Sequence, residues 1–171
     1  MENYKEVDGD LIDLAKRGHF DVIAHGCNCM CTMAAGIAPQ MAQSFGADKF
    51  KMEGLLHRGD INKLGTIDYQ LINIPKKVEG MSPNFGGVDL FVVNAYTQYN
   101  YGANHADGNK KPVDYEAITM VMRKMNKIFK GKHVGLPKIG AGLAGGDWNI
   151  IKNIIQKELK DCQITVVNYK P

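Results

Sequence analysis

The sequence predicts an α/β fold in which a mixed, mainly parallel sheet is covered by helices on both faces. Three observations carry that reading. Short apolar runs alternate with amphipathic segments along most of the 171 residues. Two of the apolar runs lead directly into stretches of small residues followed by a helix signal, HGCNCMCTMAAGIAPQM from His25 to Met41 and LPKIGAGLAGGDW from Leu136 to Trp148. One pair of apolar runs, 66–74 and 90–96, has no helix between its members, so those two strands pair antiparallel.

The bulk numbers set the frame. A chain of 171 residues builds one sizeable core, and a single domain spans 1–171 with no repeat, linker or low-complexity segment. Hydrophobic residues make up 44% and charged residues 23%, ordinary for a globular protein. No apolar run is long enough to span a membrane, and the start, MENYKEVDGD, is polar and acidic rather than secretory. A cytoplasmic location is the expectation. The net charge of +3 suits a small anionic ligand. No dense Lys/Arg patch alternates with aromatics, which argues against nucleic acid. Lys76–Lys77 and Lys110–Lys111 are only pairs and read as solvated loop charges.

In chain order, residues 3–7 suit a short edge strand. Asp10 is a good N-cap for a helix carrying Leu11, Leu14 and Ala15, and Gly18 stops it. Residues 20–26 form a buried strand running into the first small-residue loop. Pro39 sits where an early helical proline is tolerated, Ile37, Met41 and Phe45 share one helical face, and Gly46 ends that helix. Residues 47–60 predict a second short helix and a turn. Residues 75–89 form a long connection between the paired strands, and 97–112 a polar loop rich in glycine and asparagine, of a length that is usually functional. Asp114 caps the clearest helix, with Ile118, Val121, Met122, Met125, Ile128 and Phe129 as its apolar stripe. The methionines there are core filler. A short strand precedes the second glycine-rich loop. Asp147 then caps a helix presenting Trp148, Ile151, Ile155 and Leu159, and 164–168 is the last strand.

Ligands on such sheets sit beyond the carboxyl ends of the strands, where both small-residue loops lie. Helix starts offer unpaired N–H groups and a positive dipole end, so the pair of loops suits a pyrophosphate. GAGLAGG is not a dinucleotide fingerprint in its usual place after the first strand, and no GxxxxGK[ST] motif is present. Cys27, Cys29 and Cys31 alternate, with Cys162 far away. This spacing is not that of a structural zinc site and reads as free thiols in a reducing compartment, with no metal expected. His25, at a strand end beside the phosphate loop, is the first candidate for acid–base chemistry, and His105, in the long polar loop, the second.

Four motifs together resemble the macro domain family over essentially the whole chain: GDL at Gly9–Leu11, HGCNC with AAGIA from His25 to Ala38, LPKIGAGLAGGDW, and the terminal VVNY. HxCNC followed by GIA is similar to the yeast-type ADP-ribose 1″-phosphate phosphatases. The resemblance implies a three-layer α/β/α domain that binds ADP-ribose or its 1″-phosphate and removes the terminal phosphate, with no cofactor. It implies that Asp10 accepts a hydrogen bond from the adenine 6-amino group and that the Leu11 N–H reaches a ring nitrogen, while Tyr169 flanks the adenine. Gly36, Ile37 and Ala38 would offer backbone N–H groups to one phosphate. Gly140, Ala141, Gly142 and Leu143 would cradle the other phosphate and the distal ribose. Catalysis would fall to His25, to Asn28 beside the distal ribose, and to His105. The alternatives are an ADP-ribose-binding module without turnover and a hydrolase of ADP-ribosyl conjugates. Against the latter, the aspartate that follows Gly-x-Gly-Leu in the glutamate-directed hydrolases is Ala144 here.

Overall fold

The computed structural model describes residues 3–50, 58–75, 87–101 and 113–170. Six strands form one sheet: β1 (Tyr4–Gly9), β2 (Val22–Asn28), β3 (Ile67–Ile74), β4 (Val88–Gln98), β5 (His133–Leu136) and β6 (Gln163–Tyr169). Their order across the sheet is β1-β6-β5-β2-β4-β3. Every neighbouring pair is parallel except β3 with β4, which is antiparallel. The mixed, mainly parallel sheet is therefore as the sequence predicts, including the one antiparallel pair.

Side-chain alternation along the strands feeds two cores. Val22 and Ala24 of β2, with Val93 and Ala95 of β4, join the buried faces of α3 (Tyr115–Ile128) and α4 (Trp148–Glu158). Ile23, Leu90, Val92 and Val167 face the opposite way and pack under α1 (Leu11–Lys16) and α2 (Ala38–Phe45). Helices on both faces of one sheet make the three layers. Each of three helices starts where the sequence places its cap. The Asp10 carboxylate accepts from the Asp13 N–H, Asp114 from that of Ala117, and Asp147 from that of Asn149.

Several expectations are corrected. The α3 stripe is Ala117, Ile118, Val121, Met122 and Met125, continued by Phe129, whereas Ile128 is 44% exposed at the helix end. Ile128 is the last residue of α3, and the capping residue Phe129 takes the buried position instead. Of the short helix and turn expected across 47–60, residues 51–57 lie outside those described; one 3₁₀ turn spans Ala47–Lys49, and a second spans Ile61–Lys63. Lys76–Lys77, Lys110–Lys111 and His105 also lie outside them. Strand β2 runs two residues beyond Gly26, to Asn28, pairing with β4 as far as Asn28 opposite Gln98, with a register shift between Cys27 and Asn28.

Candidate functional site

A cavity of about 710 Å³ opens at the carboxyl ends of the central strands. Gly26, Cys27 and Asn28 of β2 line it, together with residues 32–38, Gln98 and Tyr101 from the end of β4, and most of the segment after β5. Of the residues singled out from sequence, Asn28, Gly36, Ile37, Ala38, Gly140, Gly142 and Leu143 lie on its wall. Gln98, Tyr101 and Lys138 were not legible as site residues. Their types are common on any surface, and only strand order brings them together.

The first loop is shaped from within. The Asn28 side-chain amide donates to the Thr32 carbonyl at 2.9 Å, and its oxygen accepts from the Thr32 N–H at 3.1 Å. This two-way latch folds the loop back over the end of β2. Asn28 is 8% exposed, and the latch uses one donor and one acceptor position of its amide. The loop then enters α2 at Ile37, an N-cap with no side-chain hydrogen bond, and with proline in the first turn. Among the described residues no acceptor is found for the N–H groups of Gly36, Ile37 and Ala38. Those donors stand at the positive end of the helix dipole, on the cavity wall.

The second loop is a series of tight turns. The Gly146 N–H donates to the Gly140 carbonyl at 2.8 Å, the Gly145 N–H to Gly142 at 3.0 Å, and the Val113 N–H to Ala144 at 3.2 Å. Gly140 has φ +75° and presses on Val113, so that a Cβ there would stand 2.9 Å from the Val113 side chain. A Cβ on Gly146 would stand 2.5 Å from the Gly140 carbonyl oxygen, which is backbone and has no rotamer to yield with. Gly146→Ala is therefore expected to cost about 3 kcal/mol and to open the loop. A urea-denaturation midpoint unchanged from the parent would refute that packing argument. No acceptor is found among the described residues for the N–H groups of Gly142, Leu143 and Ala144. Ala141 differs from expectation: its N–H is closed onto the Lys138 carbonyl at 3.1 Å, and it is not on the cavity wall.

His25 is the main correction. Its side chain lies on the β2 face opposite Gly26, is 0% exposed, and is absent from the cavity wall. The Asn94 amide group donates to the Ala47 carbonyl at 2.8 Å, which turns the Asn94 oxygen toward His25 at 2.7 Å. His25 must then donate from Nε2, leaving Nδ1 without a proton. Burial pushes its pKa down to about 4, partly offset by the Asn94 bond. The imidazole is a buried group one side chain away from the cavity, its Nε2 3.5 Å from the sulfur of Cys27, which lines the wall.

Asp10, Leu11 and Tyr169 are not on the cavity wall either. They meet at the carboxyl ends of the neighbouring strands β1 and β6, where Gly9 stands opposite Tyr169. Tyr169 ends β6 rather than following it and is 64% exposed. Leu11 packs its side chain into the core under α1. Asp10 binds the Asp13 N–H through one carboxylate oxygen, 3.1 Å away.

Beneath the first loop lies a buried polar cluster that the sequence does not reveal. Lys63 donates to Asp68 at 3.2 Å, Tyr96 donates its hydroxyl to the same Asp68 oxygen, and the Lys63 ammonium stands 4.1 Å from the Tyr96 ring centroid. Lys63 and Asp68 are 4% and 3% exposed. Tyr96 packs with Cys27 and Cys29. Burial pushes the Cys29 thiol up to about 12, and raises that of Cys27 as well. All four cysteines are free, and no group of three or more His, Cys, Asp or Glu side chains among the described residues is arranged to hold a metal ion. No helix among them is long and apolar enough to cross a membrane.

This architecture, with two backbone-lined loops at the carboxyl ends of a mixed six-stranded sheet, is that of the macrodomains. The macrodomain of Thermus aquaticus DarG superposes with a TM-score of 0.60 at 18% identity, covering 98% of each chain. Thermosipho africanus DarTG in complex with ADP-ribose superposes with a TM-score of 0.64 at 18% identity over 100% of this chain and 42% of that one. The chain belongs to the same family as the uncharacterized 17.5 kDa protein of the tk–vs intergenic region of Enterobacteria phage T4. The two are 30% identical over 175 residues, spanning 98% of this chain and 97% of the phage protein. No protein-family profile matches the chain.

Proposed function

We propose that the cavity binds ADP-ribose and that ADP-ribose 1″-phosphate is its substrate. The observation that carries this is the pair of loops facing one cavity, each with three consecutive N–H groups free of protein acceptors among the described residues. A diphosphate supplies the acceptors such a cradle requires. In this reading the ligand runs across the sheet from β1–β6 toward β2. Adenine lies at the β1–β6 end, its amino group donating to Asp10, one of its ring nitrogens meeting the Leu11 N–H, and its ring flanked by Tyr169. The diphosphate lies between Gly36–Ala38 and Gly140–Leu143, with the distal ribose beside Asn28.

In hydrolysis, water attacks the terminal phosphorus, the P–O bond to the ribose breaks, and ADP-ribose and phosphate leave. Main-chain donors of the second loop, which also faces the distal ribose in this reading, stabilise the charge that develops on the phosphoryl oxygens. With His25 buried off the cavity wall, His105 is the proton-transfer candidate, and Asn28 orients the distal ribose. A second reading, binding without turnover, is favoured by one observation: among the described residues lining the cavity there is no His, Asp or Glu.

Phosphate release from ADP-ribose 1″-phosphate, with calorimetry on ADP-ribose, separates these readings. Release that is lost in His105→Ala supports the phosphatase. Tight binding with no release leaves the binding module, and absence of binding removes both. Asp10→Ala is expected to weaken ADP-ribose binding about tenfold and to cost about 1 kcal/mol of stability through the lost helix cap. Unchanged affinity in that variant would place the adenine elsewhere.

A further inference from the structure

Lys138 is the one charged side chain among the described residues that line the cavity. It is exposed, and no carboxylate among the described residues pairs with it. Its backbone is fixed, because its carbonyl accepts the Ala141 N–H at 3.1 Å in the first turn of the second loop. Its ammonium stands 5.8 Å from the Trp148 ring centroid, so an aromatic face rather than an acid flanks the charge. A cation left unneutralised on the wall of a cavity is a site for an anion.

Its station along the cavity follows from the sheet. Lys138 comes two residues after the end of β5, and β5 lies between β6, which carries Tyr169, and β2, which carries Asn28. With adenine over β1–β6 and the diphosphate between the two loops, the group that passes the end of β5 is the adenosine ribose. The diphosphate already has main-chain donors on two sides. What the adenosine ribose presents there is its 2′- and 3′-hydroxyls.

We propose that Lys138 makes this site selective for ADP-ribose that carries a phosphate on the adenosine ribose. This inference rests on the ADP-ribose reading of the cavity. A phosphomonoester at the 2′ or 3′ position gives the ammonium a doubly charged partner, and charge-assisted bonds to such groups are short and strong. The pair is open to solvent, so its contribution is modest and sensitive to salt.

The test is calorimetry at low ionic strength with ADP-ribose, ADP-ribose 2′-phosphate and ADP-ribose 3′-phosphate, on the parent protein, Lys138→Gln and Lys138→Arg. Binding of one phosphorylated ligand about fivefold tighter than ADP-ribose is expected, the 2′ and 3′ compounds showing which hydroxyl is meant. That preference should vanish in Lys138→Gln, persist in Lys138→Arg and shrink in high salt. Equal weakening of all three ligands in Lys138→Gln would overturn the proposal and assign the lysine to the diphosphate. Equal binding of all three by the parent would overturn it too, while leaving the ADP-ribose reading intact. If the parent binds none of them, the ADP-ribose reading itself falls.

Discussion

Lys63→Met is expected to destabilise the protein by about 3–5 kcal/mol, the cost of leaving one member of a buried ion pair without the other. Lys63 is 4% exposed and Asp68 3%, and one Asp68 oxygen, Oδ1, already has no hydrogen-bond partner among the described residues. Removing the ammonium leaves a buried carboxylate that, among the described residues, only the Tyr96 hydroxyl supports. Asp68 would take up a proton or the cluster would open to water. Either outcome disturbs Tyr96, which packs against Cys27 and Cys29 at the root of the first loop. The double replacement Lys63→Met with Asp68→Leu removes both charges together and should recover most of the loss. Urea denaturation of the parent, the single and the double variants checks this. A single-variant loss below about 1 kcal/mol would mean that the pair is far better solvated than its burial implies.

The second large effect is acid sensitivity centred on His25. The folded protein holds this imidazole neutral, with its pKa pushed down to about 4, while the unfolded chain has the ordinary value near 6.5. Between those values the unfolded state binds more protons, so stability rises with pH. The contribution is fully present above about pH 6.5 and is lost as the pH falls through about 4. Its size approaches about 3 kcal/mol, the equivalent of the shift. His25→Gln should be less stable than the parent at pH 7, because the bond to Asn94 and the packing are altered, yet should lose less on going to pH 4. Comparing the acid-dependent change in the two proteins isolates His25 from the other titrating groups. An identical acid-dependent change in both would show that the histidine titrates normally.

His25 also shows where sequence reading stops. The strand–loop–helix rhythm of the chain, the three aspartate caps and the antiparallel strand pair are local features, and they stand in the structure as the sequence implies. The direction of one strand residue is also local in principle, since alternation from Ile23 puts His25 on the same face. It was obscured because His25 reads as the end of the strand, beside a loop, rather than as a residue within it. Only the partner Asn94, 69 positions away, shows why a polar residue is tolerated in that layer. Lys63, Asp68 and Tyr96 are missed for the same reason: each looks like an ordinary residue near a turn, and their burial arises only when β3 and β4 pair. The glycines of the second loop were legible as places of close approach, but not as to what approaches. Gly146 meets the Gly140 carbonyl oxygen, so part of the pattern serves the loop's own closure rather than a ligand.

The cradle of main-chain N–H groups has a consequence for how such a site changes over evolutionary time. An amide donor belongs to every residue but proline, so drift in the side chains of residues 36–38 and 142–144 leaves the donors in place as long as the turns persist. The inherited part is a backbone path, guarded by a few small residues. The walls, where Tyr101 and Lys138 stand, are free to be exchanged without touching it. Chains at 18% identity still share this fold. What each one selects is then decided at the rim.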